Sequence, residues 1–238
     1  MIEETVTYSV DGKSLDSTVY RQDKDSRGAG ILVFPDILGL GEHARERAWR
    51  LAELGYVVLA MDLHGDGQIL DAPTALAELE IFYADPGVAL RRAEASLAML
   101  CQQHGVDSDR IGAVGFCYGG TLALEMARSG LALHALVGFH SVLRSTLRWD
   151  RAHLSRKKIL VCVGAEDPQI PEEQRRDFVD EMRQTDADWQ LHLYGGVYHT
   201  FTDWRIDAAG LPDFARYDAA ADRRSWRAMK DLFEDAFS

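Results

Sequence analysis

The chain has 238 residues, 47% of them hydrophobic and only 6 of them proline, which is enough apolar sequence for a large core at a length that suits a single α/β domain spanning 1–238. A formal charge of -12 and a pI near 5.1 argue against nucleic acid or an anionic membrane surface as a partner, since both would be repelled. No basic start with an apolar run opens the chain, and no apolar stretch reaches the ~18 residues of a membrane span, so a cytoplasmic protein is expected.

Residues 6–10 and 18–21 flank Asp11-Gly12-Lys13, a turn between β-favouring runs that predicts an opening hairpin at a sheet edge. Apolar runs at 30–34, 56–61 and 111–115 then have the character of buried parallel strands. Between the first two, Ala44, Ala48, Leu51, Ala52 and Leu54 recur at helical spacing, and Gly55 ends the helix. Helices are expected over 73–83 and 88–104, broken by Asp85-Pro86-Gly87. A helix over 121–128, strands at 135–139 and 158–164, a helix over 171–184, a strand at 189–194 and an amphipathic helix over 223–237 complete the alternation. This order implies α/β architecture, a mostly parallel sheet with helices on both faces.

Within it, Gly115-Phe116-Cys117-Tyr118-Gly119-Gly120 has the Gly-x-Ser-x-Gly form of a strand-to-helix turn that exposes a nucleophile, with Cys in place of Ser. A helix N-terminus also favours negative charge on the sulfur. The three cysteines are too widely spaced for a disulfide framework or a zinc site, so free thiols are expected, with no metal and no cofactor. Cys101 and Cys162 fall inside a helix and a strand and read as structural.

Triads on such folds run nucleophile, acid, base along the chain, each after a strand. Asp167, in Gly164-Ala165-Glu166-Asp167-Pro168, and His199, after the last strand, supply that order; Glu166 is the neighbouring alternative acid. His64 and His140 also follow strands and could line a pocket. His43, His104, His134, His153 and His192 read as surface or packing residues.

These residues resemble the dienelactone hydrolase family, whose members carry a Cys-Asp-His triad on an α/β-hydrolase fold. The resemblance rests on 34–40, 61–67, 111–120, Gly164-Ala165-Glu166-Asp167 and His199-Thr200-Phe201. It implies that Cys117 attacks a carboxylic ester or lactone to give a thioester, that His199 moves the proton and that Asp167 orients His199. It also implies an oxyanion hole from the backbone N–H groups of Ile37 and Tyr118, and a resting cysteine modulated by Asp36. The substrate is then a small ester or lactone and the protein a monomer or homodimer. Family members that cleave dienelactone hold its carboxylate with arginines, one shortly after the histidine. Here Asp203 falls near that position with Arg205 close by, and Arg91 and Arg92 are expected in solvent, so no carboxylate clamp is expected. Trp204, Phe214 and Tyr217 hint at an apolar wall. Two other readings are a glutamine amidohydrolase, disfavoured by Phe201 where an acid is wanted, and a non-catalytic or redox-sensing thiol protein on the same fold.

Overall fold

The computed structural model describes residues 1–145, 147, 150–211 and 213–238. Successive residues of its central strands are buried on opposite faces of the sheet. In β3 (Gly28–Phe34), Ile31 and Val33 pack with α1 (Glu42–Glu53) and α6 (Ala219–Phe237), whereas Leu32 and Phe34 pack with α3 (Pro86–Cys101), α4 (Tyr118–Arg128) and α5 (Glu172–Met182). The same division recurs in β4 (Val57–Ala60) and β7 (Lys158–Gly164), the two-residue period of strands covered on both sides.

With β1 (Ile2–Val10), β2 (Lys13–Arg21), β5 (Val106–Phe116), β6 (Ala135–Phe139) and β8 (Asp188–Tyr194), the sheet has the order β1-β2-β4-β3-β5-β6-β7-β8. Pairing is antiparallel at β1–β2 and β2–β4 and parallel elsewhere. This is the expected mostly parallel sheet flanked by helices on both faces, with the opening hairpin at its edge.

Several boundaries differ from the sequence reading. Strand β5 starts at Val106, not Ile111, because its polar opening pairs with Gly28 and Ala29 across a register shift. Helix α6 starts at Ala219, because the Asp218 carboxylate caps it by accepting from the N–H groups of Ala220 and Ala221. The break at Asp85 is a single cap residue between α2 (Ala72–Ala84) and α3.

Because β4 and β5 lie on opposite sides of β3, the chain reverses its direction of travel across the sheet there. A crevice opens at the carboxyl ends of strands at such a switch point. The loop after β3 carries Asp36 and Ile37, and the turn after β5 carries Cys117. Helix α4, starting just after Cys117, is fixed at its far end by Arg128, which is 1% exposed. Its guanidinium donates to Glu125 at 2.8 Å, to Glu181 on α5 and to the Leu143 carbonyl. Removing one partner of a buried ion pair strands the other charge. Arg128→Met should therefore lower unfolding free energy in urea by about 3–5 kcal/mol.

Candidate active site

The reversal between β5 and α4 is sharp enough to require missing side chains. A Cβ on Gly115 would lie 2.2 Å from the Gly119 carbonyl oxygen, and one on Gly119 would lie 2.2 Å from that of Pro35. Between them Cys117 takes φ 52, ψ -121, an unusual backbone for a residue with a Cβ. The thiol is thereby raised over the carboxyl edge of the sheet, partly exposed at the N-terminus of α4.

Two further loops converge on it. His199 follows β8, and its backbone is tied to the 214–216 segment by the Phe214 carbonyl and the Arg216 N–H. Its ring is 2% exposed, with Nε2 3.2 Å from Cys117 Sγ and Nδ1 2.7 Å from Asp167 Oδ2. Asp167, itself 3% exposed after β7, also accepts from the Gln169 N–H at 2.9 Å, while Glu166 points to solvent. Burial alone would push His199 down, but Cys117 and the Asp167 carboxylate outweigh it and raise the imidazolium to about 10. A protonated imidazole beside the Cys117 sulfur and the Asp167 carboxylate is the state these neighbours favour at His199.

The backbone N–H groups of Ile37 and Tyr118 have no hydrogen-bond partner among the described residues. Neighbouring bonds fix the Ile37 side: the Asp36 carbonyl accepts from the Gly39 N–H at 3.1 Å, and His64 Nε2 donates to the Ile37 carbonyl at 2.8 Å. His64 thus holds the loop. The Tyr118 ring stacks on Phe82 with centroids 5.3 Å apart, and Tyr83 meets its edge.

Asp36 is half-buried, and its carboxylate accepts from the Leu38 N–H at 2.8 Å. Burial raises it to about 6; the Leu38 N–H opposes that rise and nearby Asp203 adds to it. Arg205 lies close, but its guanidinium is already engaged by Asp203 at 2.9 Å and Glu42 at 2.8 Å. Arg91 is exposed and pairs with Asp11, as a solvated residue would. Arg92 departs from that expectation: it is half-buried, donates to the Leu63 carbonyl at 2.7 Å and lies over the Phe82 ring. Of the three aromatics, Phe214 reaches the site, with its ring 5.4 Å from His199. Trp204 is exposed, and the Tyr217 hydroxyl donates to Asp222.

Two histidines have roles that the sequence does not reveal. His140 is buried behind the site, its Nδ1 accepting from the Cys117 N–H at 3.2 Å. His43 is buried on α1, joined to Thr202 and Arg47. A signal existed for the second: Arg47 interrupts the apolar stripe of α1 beside Ala44, Ala48 and Leu51, and a charge on a buried face needs partners. Cys162 is fully buried, which pushes its thiol up to about 12, and Cys101 lies exposed at the end of α3. Among the described residues no cluster of His, Cys, Asp or Glu could hold a metal ion, and no helix is long and apolar enough to cross a membrane.

Residues 15–237 match the dienelactone hydrolase family. A Bradyrhizobium protein described as a probable 2-oxo-3-(5-oxofuran-2-ylidene)propanoate lactonase is 30% identical over 212 residues, covering 85% of each chain. Among solved structures, a dienelactone hydrolase-like promiscuous phosphotriesterase from metagenomic libraries superposes with a TM-score of 0.93 at 38% identity, covering 100% of this chain and 99% of the other. A protein designated m3DLH gives a TM-score of 0.94 at 40% identity with the same coverage. A match over nearly the whole chain, on a fold whose crevice gathers this thiol, imidazole and carboxylate, makes the protein a member of the dienelactone hydrolase family, a hydrolase acting on ester bonds.

Proposed function

We propose that the protein hydrolyses small, uncharged carboxylic esters or lactones through a thioester on Cys117. The observation that carries this reading is the position of His199, whose two ring nitrogens lie within bonding distance of Cys117 Sγ and Asp167 Oδ2. The thiolate adds to the substrate carbonyl, and the oxyanion is received by the N–H groups of Tyr118 and Ile37. As the tetrahedral intermediate collapses, His199 Nε2 gives its proton to the leaving alkoxide. A water molecule then loses a proton to Nε2 and its hydroxide adds to the thioester carbon. The C–S bond breaks, the electron pair returns to sulfur, and the carboxylic acid formed gives its proton to solvent water and departs as a carboxylate. Asp167 keeps the Nδ1 proton in place throughout.

The choice of an uncharged substrate follows from the charges beside Asp36, in the loop that precedes Ile37. Asp36, Asp203 and Glu42 face the single guanidinium of Arg205, and two of the three already hold it. An anionic substrate would meet repulsion there, with the guanidinium of Arg205 already engaged.

Cys117→Ala and His199→Ala should each lower kcat for p-nitrophenyl acetate by ~10³-fold or more, with Asp167→Asn losing ~10²–10⁴-fold, in protein whose far-UV dichroism is unchanged. Retained turnover in Cys117→Ala would rule out the thioester route.

A second activity is favoured by the 38% identical neighbour described as a promiscuous phosphotriesterase. The same thiolate can add to phosphorus with expulsion of an aryloxide. Release of p-nitrophenolate from paraoxon is expected, at a rate well below that for carboxylic esters, and it should disappear in Cys117→Ala.

Asp36 gives a pH prediction. Its carboxyl is raised to about 6 in the folded protein, so the stability it contributes is complete below its ordinary value of 3.8 and is lost as pH rises through 6. Asp36→Asn, which stays neutral and can still accept from Leu38, should match the parent in urea denaturation near pH 4 and exceed it by ~1–3 kcal/mol at pH 7.5.

A further inference from the structure

Behind the thiol, opposite the crevice, a line of buried polar side chains runs from Cys117 to α6. The Cys117 N–H is shared between the Phe139 carbonyl at 3.0 Å and His140 Nδ1 at 3.2 Å, and His140 Nε2 lies 2.9 Å from Thr202 Oγ1. Thr202 Oγ1 lies 3.2 Å from His43 Nε2, and Arg47 Nε meets that same nitrogen at 3.3 Å. Arg47 continues to Asp222 on α6 at 3.0 Å.

The two ends of this line fix the proton on every atom between. A backbone N–H can only donate, so His140 Nδ1 is the acceptor and its proton sits on Nε2, donated to Thr202. A guanidinium can only donate, so His43 Nε2 is also an acceptor, and the Thr202 hydroxyl donates to it. Each hydrogen bond is satisfied in one direction only.

The geometry points to His140 as a positioning residue: its Nδ1 holds the Cys117 N–H, and Thr202, His43 and Arg47 hold His140 in the tautomer that can do so. This inference rests on Cys117 being the nucleophile. It gives a purpose to a costly local backbone. His140 takes φ 43 directly after β6, where its own N–H donates to the Cys162 carbonyl at 2.8 Å. That turn directs the ring under the elbow, where its edge also meets the His199 ring with centroids 5.2 Å apart. The charged and titratable groups facing it are His199, His43 and Arg47; burial first, then the positive charge of His199 and Arg47, holds the ring neutral. A second proton would sit on Nδ1 and point at the Cys117 N–H, donor against donor.

The test compares two substitutions at one position. His140→Phe keeps ring volume and removes the acceptor; His140→Asn sets an amide oxygen close to where Nδ1 lies. With p-nitrophenyl acetate, the burst that reports acylation should slow by ~10–100-fold in His140→Phe, the scale of a misplaced reacting group, with Asn restoring it to within about fivefold of the parent. A burst within twofold of the parent in His140→Phe, or equal losses in Phe and Asn, would overturn the proposal. Thr202→Val covers the case in which His140→Phe does not fold: a several-fold slower burst is expected, and an unchanged one counts against the role. Ring ¹⁵N spectra of the resting protein should show His140 neutral with its proton on Nε2; a proton on Nδ1 would also overturn it. Cys117→Ala separates the two levels, because turnover persisting there removes the nucleophile reading itself, whereas its loss beside an active His140→Phe removes only the positioning role.

Discussion

At Cys117 the main chain turns from strand to helix in one residue, in a left-handed conformation that costs about 1–3 kcal/mol for a side chain with a Cβ. The rest of the site depends on that turn being kept. Gly115 and Gly119 allow the helix backbone to approach the strand and the Pro35 carbonyl more closely than any Cβ would permit. Phe139 and His140 receive the Cys117 N–H from the neighbouring strand end. Arg128 fixes the other end of the same helix to α5, so the elbow cannot relax by sliding α4 along the sheet. Local strain is thus held by long-range packing.

The histidines around this turn divide the work by what their nitrogens face. His199 stands between a sulfur and a carboxylate, which favour its cation despite burial. At His140 and His43 burial favours the neutral ring, and the cations they face add to it. His64 donates to the Ile37 carbonyl and holds the loop that offers its N–H to the crevice. Burial sets the neutral state of the others, and only at His199 do the neighbours outweigh it.

The sheet and most helices were legible because apolar periodicity and turn residues are local signals. Runs such as 30–34 and 158–164 could only be buried strands, and the glycines around Cys117 marked a turn that needs close backbone approach. The order Cys117, Asp167, His199 was legible because each residue follows a strand. The polar start of β5 was not, since Asp107 and Arg110 interrupt the apolar pattern of a buried strand and are explained only by the partner strand. Nor was the line through His140, Thr202, His43 and Arg47. Its members come from three distant segments, and only the sheet order β3-β5-β6 with α1 and α6 on one face brings them together. Arg92 was misread for the same reason, because the Leu63 carbonyl that it meets lies in a loop far away in sequence.

The guanidinium of Arg205 held between Asp203 and Glu42, with Asp36 beside it, bears on how a catalytic cycle ends. In the proposed reaction a neutral ester becomes an anion near a group whose acidic side chains outnumber its cation. On that reading the same group tolerates the incoming ester and repels the carboxylate product, so the charge that the reaction creates would help clear the crevice. An arginine freed of its two carboxylates would retain the acid and slow the return to the empty enzyme.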